Sequence, residues 1–326
     1  MLTAFPKGAS SFGVPMAPGV QGAIDRYWGG GKVLWVGNRS GLPAGDGSSP
    51  SYPLSTLFGA SGALAKLNAT TNRGHVIFVM PGHAENISTA DHASNTGAAD
   101  SFAIVGLGTG TSRPTFTWSV ATATWLVDTA NVALDNLRLL MAGPAGSTAL
   151  TVAAPITISA AGCQIRNCYI QTGIDADQLS TDSIITTAAA DDLVIENNQV
   201  IGAAAAEQTT VFKFIGCDRL VFRNNYVVGG VATDTDGLLH FLTTASTDVL
   251  IANNLLRAAA TGNETCIHMN TALAHTGWII GNFMRNAVDG NNNYITTHAS
   301  ANVQLQWNFG VNNNNERGLE EGTASV

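Results

Sequence analysis

Short apolar stretches that run into asparagine return along this chain: LVIENN at 193–198, LVFRNN at 220–225 and VLIANN at 249–254. VALDNL, CQIRNC, GWIIGN and VQLQWN fall in the same frame, and the copies end at Leu137, Cys168, Asn198, Asn225, Asn254, Asn282 and Asn308. The intervals are 31, 30, 27, 29, 28 and 26 residues. A period of that length marks a stacked repeat architecture. Within each copy two apolar columns alternate with a position between them. Leu134, Ile165, Ile195, Phe222, Ile251, Ile279 and Leu305 form one column; Val132, Cys163, Leu193, Leu220, Val249, Gly277 and Val303 form the other. A period of two predicts a strand with one buried face.

Two solenoids accommodate a strand with a periodic asparagine. Leu193, Ile195, Asn198 and Val200 match the core spacing of leucine-rich repeats, which require a helical, leucine-rich return leg. Here the returns, such as AAAAEQTTVFKFIGCD and AAATGNETCIHMNTALA, are Val, Phe, Ile and Thr clusters broken by Gly and Asp. That is strand and turn chemistry. Three short strands per lap predict an all-β fold, a parallel β-helix, with the leucine-rich solenoid as the alternative. Equivalent residues would lie about 4.8 Å apart. The paired asparagines are expected at corners, because asparagine tolerates the left-handed backbone. Asn198, Asn225, Asn254, Asn282 and Asn308 would stack as an amide ladder of the kind seen in cross-β assemblies.

The rest of the chain divides around this block. Residues 1–31 mix Pro and Gly with Phe5, Phe12, Met16, Tyr27 and Trp28 and show no strand or helix period, which predicts an arm used for attachment or assembly. The solenoid spans 32–311, opening with the strand KVLWVG. Leu54, Leu57, Phe58, Leu64 and Leu67 stand at helical spacing with Ser55 as a candidate N-cap, so a capping helix is expected near 54–67. Residues 312–326 read as a polar tail.

Composition narrows the function. Charged residues make up only 12 % of the chain, about half the usual globular share, and the formal net charge is −8. With only four lysines and no basic stripe, nucleic acid is not an expected partner. The four cysteines show no C-x-x-C spacing, so buried thiols are expected instead of a metal site. No apolar run approaches the roughly 18 residues of a membrane span. MLTAFPKGASSFG lacks a signal-peptide apolar region. The expectation is therefore a protein made in the cytoplasm, with no membrane partner and no cofactor.

With the asparagine corners, the segment GDGSSPSYPLSTL…HVIFVMPGHAENI…FAIVGLG resembles the opening of right-handed parallel β-helices of the pectin-lyase-like superfamily. The likeness covers roughly residues 32–311. The ensemble of few charges, Ala/Thr/Gly-rich turns and an apolar arm also resembles phage virion proteins, such as capsid decoration, cement or spike subunits. That second resemblance implies a homotrimer in a virion, attached to a major capsid protein or another virion component.

Catalysis is the competing reading. β-Helix glycosidases act through pairs of outer carboxylates, and Glu207, Asp234, Asp236, Glu264 and Asp289 lie in corresponding loops. They precede strands whose outward positions would be Lys213, His240 and His268. The superfamily's paired-Asp and Gly-His-Gly segments are missing, as is the Asp cluster that binds calcium in its lyases. A tailspike-like depolymerase using Asp234, Asp236 or Glu264 is thus the alternative, and a glycan-binding adhesin a third reading. GLGTG at 106–110 precedes no helix and predicts no nucleotide loop; His83 is expected to be structural. The position between the buried columns is apolar on four successive copies, at Val194, Val221, Leu250 and Trp278. A contiguous outer stripe marks an interaction surface. The expected interface between subunits is therefore this stripe, unless a segment of the same chain covers it.

Overall fold

The computed structural model of the chain describes residues 10–11, 14–15, 20–38, 45–67, 74–88, 92–93, 101–143, 149–175, 177–202, 208–230, 237–259, 265–270, 272–286, 294–296, 302–311 and 317–320. Three sheets run the length of a parallel β-solenoid. The first has ten strands, from Val33–Val36 to Asn302–Gln306, stacked in chain order. The second also has ten, from Ala84–Ile87 through Asn308–Val311 to Arg317–Glu320; the third has eight, from His92–Ala93 to Ile295–Thr296. Successive strands of one sheet belong to successive laps. Connections of this kind, joining parallel strands of one sheet, follow a right-handed path because of strand twist.

The inward residues are those of the two apolar columns. Leu134, Ile165, Ile195, Phe222, Ile251 and Ile279 are buried and share register from rung to rung. Phe212, Phe214 and Phe241 of the third sheet complete the core, with Phe222 set edge-on to Phe212 at 5.0 Å. Gly277, the weak member of its column, is at φ 138° and lies against the Val249 backbone with no room for a Cβ. All four cysteines are buried free thiols. Burial holds the Cys168 thiol up at about 12.

The doubled asparagines split into two roles. The first of each pair, Asn197, Asn224 and Asn253, takes the left-handed conformation at φ 55–57° and turns the chain from the first sheet into the second. Gly281 and Trp307 hold the same corner on later laps, at φ 66° and 51°. The second member is buried and forms the ladder. Asn225 Oδ1 accepts both the backbone N–H and the Nδ2–H of Asn198, at 3.0 Å each. Asn254 does the same for Asn225, Asn282 for Asn254 and Asn308 for Asn282, at 2.9–3.1 Å. Each amide also donates to a strand carbonyl, as Asn254 does to Phe222 at 3.0 Å. Cys168 occupies the rung before Asn198 and gives it only a backbone N–H.

Three boundaries differ from the sequence expectation. The capping helix is confined to Ala63–Leu67, well past Ser55. Gly59 at φ 83° stops a helix from forming upstream, and the Glu85 carboxylate takes the Leu57 and Phe58 N–H groups at 2.8 and 3.0 Å. The apolar residues of 54–67 still plug the core: Leu54, Leu57, Phe58, Leu64 and Leu67 are all buried, and Phe58 stands edge-on to Trp125 at 4.9 Å. Within 1–31, Val20–Tyr27 is an α-helix packed on the first sheet, and Ser10–Ser11 pairs antiparallel with Val14–Pro15. In the tail, Arg317–Glu320 is a strand, antiparallel to Asn308–Val311. It pairs the last rung of the second sheet, whose open edge would otherwise invite another chain.

The ladder predicts unequal costs for adjacent asparagines. Asn254→Ala leaves the Asn225 N–H and the Phe222 carbonyl without their buried partner and should cost about 3 kcal/mol in chemical denaturation. Asn253→Gly, at a position that requires positive φ, should cost less than about 1 kcal/mol.

Candidate functional site

Strand alternation sends every second residue of the first sheet outward, and the parallel register gathers them into two adjacent columns. One runs Val33, Val76, Ala103, Ala133, Gln164, Val194, Val221, Leu250, Trp278 and Gln304. Beside it run Trp35, Phe78, Val105, Asp135, Arg166, Glu196, Arg223, Ala252, Ile280 and Gln306. The four stripe residues thus occupy consecutive rungs of one column.

The upstream part of this face is covered by the chain itself. Ala23 and Ile24 of the helix Val20–Tyr27 are buried against Trp35, Val76, Phe78, Ala103, Val105 and Ala133, with Tyr27 packed at the margin. Helical spacing of Ala23, Ile24 and Tyr27 puts them on one side, so a short helix can lie across the sheet. The Tyr27 hydroxyl donates to Asp135 Oδ2 at 2.9 Å. Burial, reinforced by the Asp135 carboxylate, pushes the Tyr27 hydroxyl up to about 12. Tyr27, expected in an attachment arm, is therefore held on its own solenoid. Trp28 is exposed, its Nε1 donating to the Gly31 carbonyl at 2.8 Å. Phe5, Phe12 and Met16 lie outside the described residues.

Past the helix, the second column becomes a run of alternating charge. Asp135 accepts from Asn167 Nδ2 at 2.8 Å. Glu196 is gripped from both neighbouring rungs, by Arg166 Nη1 at 2.9 Å and by Arg223 Nη2 at 2.7 Å. Opposite charges directly across parallel neighbours stabilise the pairing. The column then turns apolar at Ala252 and Ile280, next to Leu250 and Trp278. Val194, Val221 and Leu250 are half-buried, whereas Trp278 is 46 % exposed. Downstream of Gln164, the described residues show no helix over this face.

The third sheet stacks Lys213, His240 and His268 in register, as the alternation implied. Their chemistry differs from a cationic column. Lys213 Nζ is paired with Asp182 Oδ2 at 2.9 Å, and Asp182 also accepts from Thr210 Oγ1 at 2.8 Å. His240 and His268 stack with ring centroids 4.5 Å apart. Burial, aided by His268 and Lys213, depresses the His240 pKa to about 4. Glu207, Asp234, Asp236, Glu264 and Asp289 lie outside the described residues. His83 is buried and hydrogen-bonded to Glu85 at 3.0 Å in the first-lap bend.

These features define a class: a parallel β-solenoid with one outer sheet face part-covered by its own N-terminal helix and part-open as an apolar stripe. No protein-family model matches the chain. No curated protein matches it in sequence. Among solved structures it is similar to a GH136 lacto-N-biosidase from Eubacterium ramulus, with 10 % identity and a TM-score of 0.40 over 85 % of this chain and 67 % of that one. At that distance the likeness transfers neither a residue nor an activity.

The buried histidine makes stability depend on pH. With the folded His240 pKa below its unfolded value of about 6.5, the unfolded chain binds the extra proton first. Stability is fully present above pH 6.5 and is lost as pH falls towards 4, by about 2–3 kcal/mol. Urea midpoints measured from pH 7 to 4 should show this decline, and His240→Asn should flatten it.

Proposed function

We propose that this chain is a non-enzymatic structural subunit that associates with copies of itself through the first-sheet stripe. Its setting in this reading is a virion, as a capsid decoration or cement protein assembled in threes. The carrying observation is the column Val194, Val221, Leu250 and Trp278, apolar on four consecutive rungs and flanked by Ala252 and Ile280. Upstream, the same face is covered by the apolar side of a helix, which supports packing as the use of this surface. Burying four such side chains at about 25 cal/mol per Å² would contribute several kcal/mol per subunit. Beside the stripe, Arg166, Glu196 and Arg223 would set the register of two copies, since unlike charges must meet across the interface. The three-fold count and the virion setting rest on the resemblance to phage proteins. Trp28, with Phe5, Phe12 and Met16, would contact the shell.

Carboxylates on the described outer faces support a structural reading. Glu196 is held by two arginines, Asp182 by Lys213 and Thr210, and Asp135 by Tyr27 and Asn167. Groups so engaged are poorly placed to exchange protons with a glycosidic oxygen.

Light scattering coupled to size exclusion tests the interface. The wild type should run as an oligomer, and Leu250→Asp combined with Trp278→Ser should run as a monomer with the same circular dichroism. An unchanged mass would refute the stripe. Incubation with host capsular polysaccharide tests the activity: no new reducing or unsaturated ends are expected. Ends that appear, and vanish in Asp236→Asn or Glu264→Gln, would replace the structural reading with a depolymerase.

A further inference from the structure

A ring of three pairs different patches of neighbouring subunits, because only a two-fold axis packs a patch on its own copy. The first-sheet stripe therefore needs a counterpart elsewhere on the chain. One lap shows where such a counterpart lies. Its outward residues read Asp248, Leu250 and Ala252 along the first sheet, turn at Asn253, and continue as Leu255 and Arg257 along the second. The next lap repeats the order with Thr276, Trp278 and Ile280, the corner Gly281, then Phe283 and Arg285. Moving away from the corner, each face is apolar first and polar or charged after.

The second sheet's share of this pattern is an open stripe. Tyr226, Leu255, Phe283 and Phe309 stand in register on four consecutive rungs, with the Phe283 and Phe309 rings stacked at 5.4 Å. Tyr226, Leu255 and Phe283 are 37, 40 and 42 % exposed, and Trp307 at the corner is 72 % exposed. Of the eight large apolar side chains exposed among the described residues, five lie on these two faces or at the corner between them: Tyr226, Leu255, Trp278, Phe283 and Trp307. A contiguous patch of that kind marks an association surface.

The charges that bound the two stripes have opposite sign. Where the chain enters the first sheet, Asp191, Asp192, Asp218 and Asp248 stand against one cation, Arg219, whose Nε meets Asp192 at 2.6 Å. On the second sheet the far margin carries Arg257 and Arg285 on adjacent rungs, both exposed. Among the described residues neither forms an ion pair, whereas Arg26, Arg166, Arg219 and Arg223 each meet a carboxylate. From Thr115 to Phe309 the two outer columns of that sheet hold no carboxylate. An acidic margin on one face and a basic margin on the other are complementary between copies.

We infer that the second-sheet stripe receives the first-sheet stripe of a neighbouring copy, with parallel rods meeting at the asparagine corner. From that corner outward, Ala252 and Leu250 of one copy face Leu255 of the next, Ile280 and Trp278 face Phe283, and the Asp248 margin reaches Arg257. A two-fold packing of stripe on stripe would leave the second-sheet stripe and both arginines in water. The inference rests on association through the first-sheet stripe and names what that stripe meets.

Sedimentation equilibrium of the full chain tests this with two variants, each checked by circular dichroism. Leu250→Asp with Trp278→Ser removes the first-sheet half of the contact; Leu255→Asp with Phe283→Ser removes the second-sheet half. Each should be monomeric alone. Mixed in equal amounts they should form a two-chain species and nothing larger, since each supplies the face that the other lacks. A second-sheet variant that keeps the wild-type mass overturns this inference and leaves the stripe reading standing; a first-sheet variant that keeps it overturns both. A mixture that stays monomeric overturns the pairing of the two faces. Should the apolar substitutions unfold the chain, charge reversal decides. Arg257→Glu should weaken association tenfold or more by setting like charges together, and adding Asp248→Arg should restore it. Arg219 holds the equivalent left-handed corner one lap earlier at φ 55°, so an arginine fits there. Indifference to Arg257→Glu, or no recovery in the double variant, overturns the inference.

Discussion

Vertical register is the constraint from which the rest follows. From Asn225 to Asn308, each buried asparagine accepts two hydrogen bonds from the asparagine of the lap before and donates to a strand carbonyl. A slip of one residue would break that ladder and turn the inward columns outward. Because the amides sit at the corner between two sheets, they fix both at once. Phe222, Ile251 and Ile279 therefore stack inside, while Val221, Leu250 and Trp278 stack outside.

That repetition makes each outer face a ladder of like positions, and the chain treats its faces differently. The first sheet carries apolar residues upstream, closed by the helix Val20–Tyr27, then charges paired between rungs, then an open apolar stretch. From Thr115 to Phe309, the outer columns of the second sheet carry arginines and rings without carboxylates. On the third, Lys213 is neutralised by Asp182 and His240 is kept uncharged by burial. A side chain repeated every lap is multiplied into a surface, so modest sequence biases become distinct faces.

Much of the fold was legible because period-two alternation and a 26–31-residue repeat are local signals. The asparagine positions, the inward columns and the outer stripe all follow from them. Other features depended on distant partners. The alternation gave Asp135, Arg166, Glu196 and Arg223 their places two residues past the stripe, and aligning the copies at that position would have exposed the alternating charge. Asp182 as the partner of Lys213 left no such trace, since the two stand at different register positions of adjacent strands, Asp182 opposite Thr210 and Lys213 opposite Ile185. Tyr27 looked like part of a free arm because eight residues of weak helical pattern acquire meaning only against the sheet they cover. The helix expected from 54–67 shrank to Ala63–Leu67 because Glu85, nearly thirty residues away, captured the N–H groups of Leu57 and Phe58.

By itself, the sequence determined a solenoid of stacked strands, its asparagine corners and which columns face in or out, since pleat and period depend only on neighbours along the chain. Tertiary structure alone decided which part of the outer stripe the N-terminal helix covers and which charges are neutralised among the described residues. Those outcomes depend on which segment lies alongside, and coverage and electrostatic pairing are properties of surfaces that the chain brings together only when it has folded.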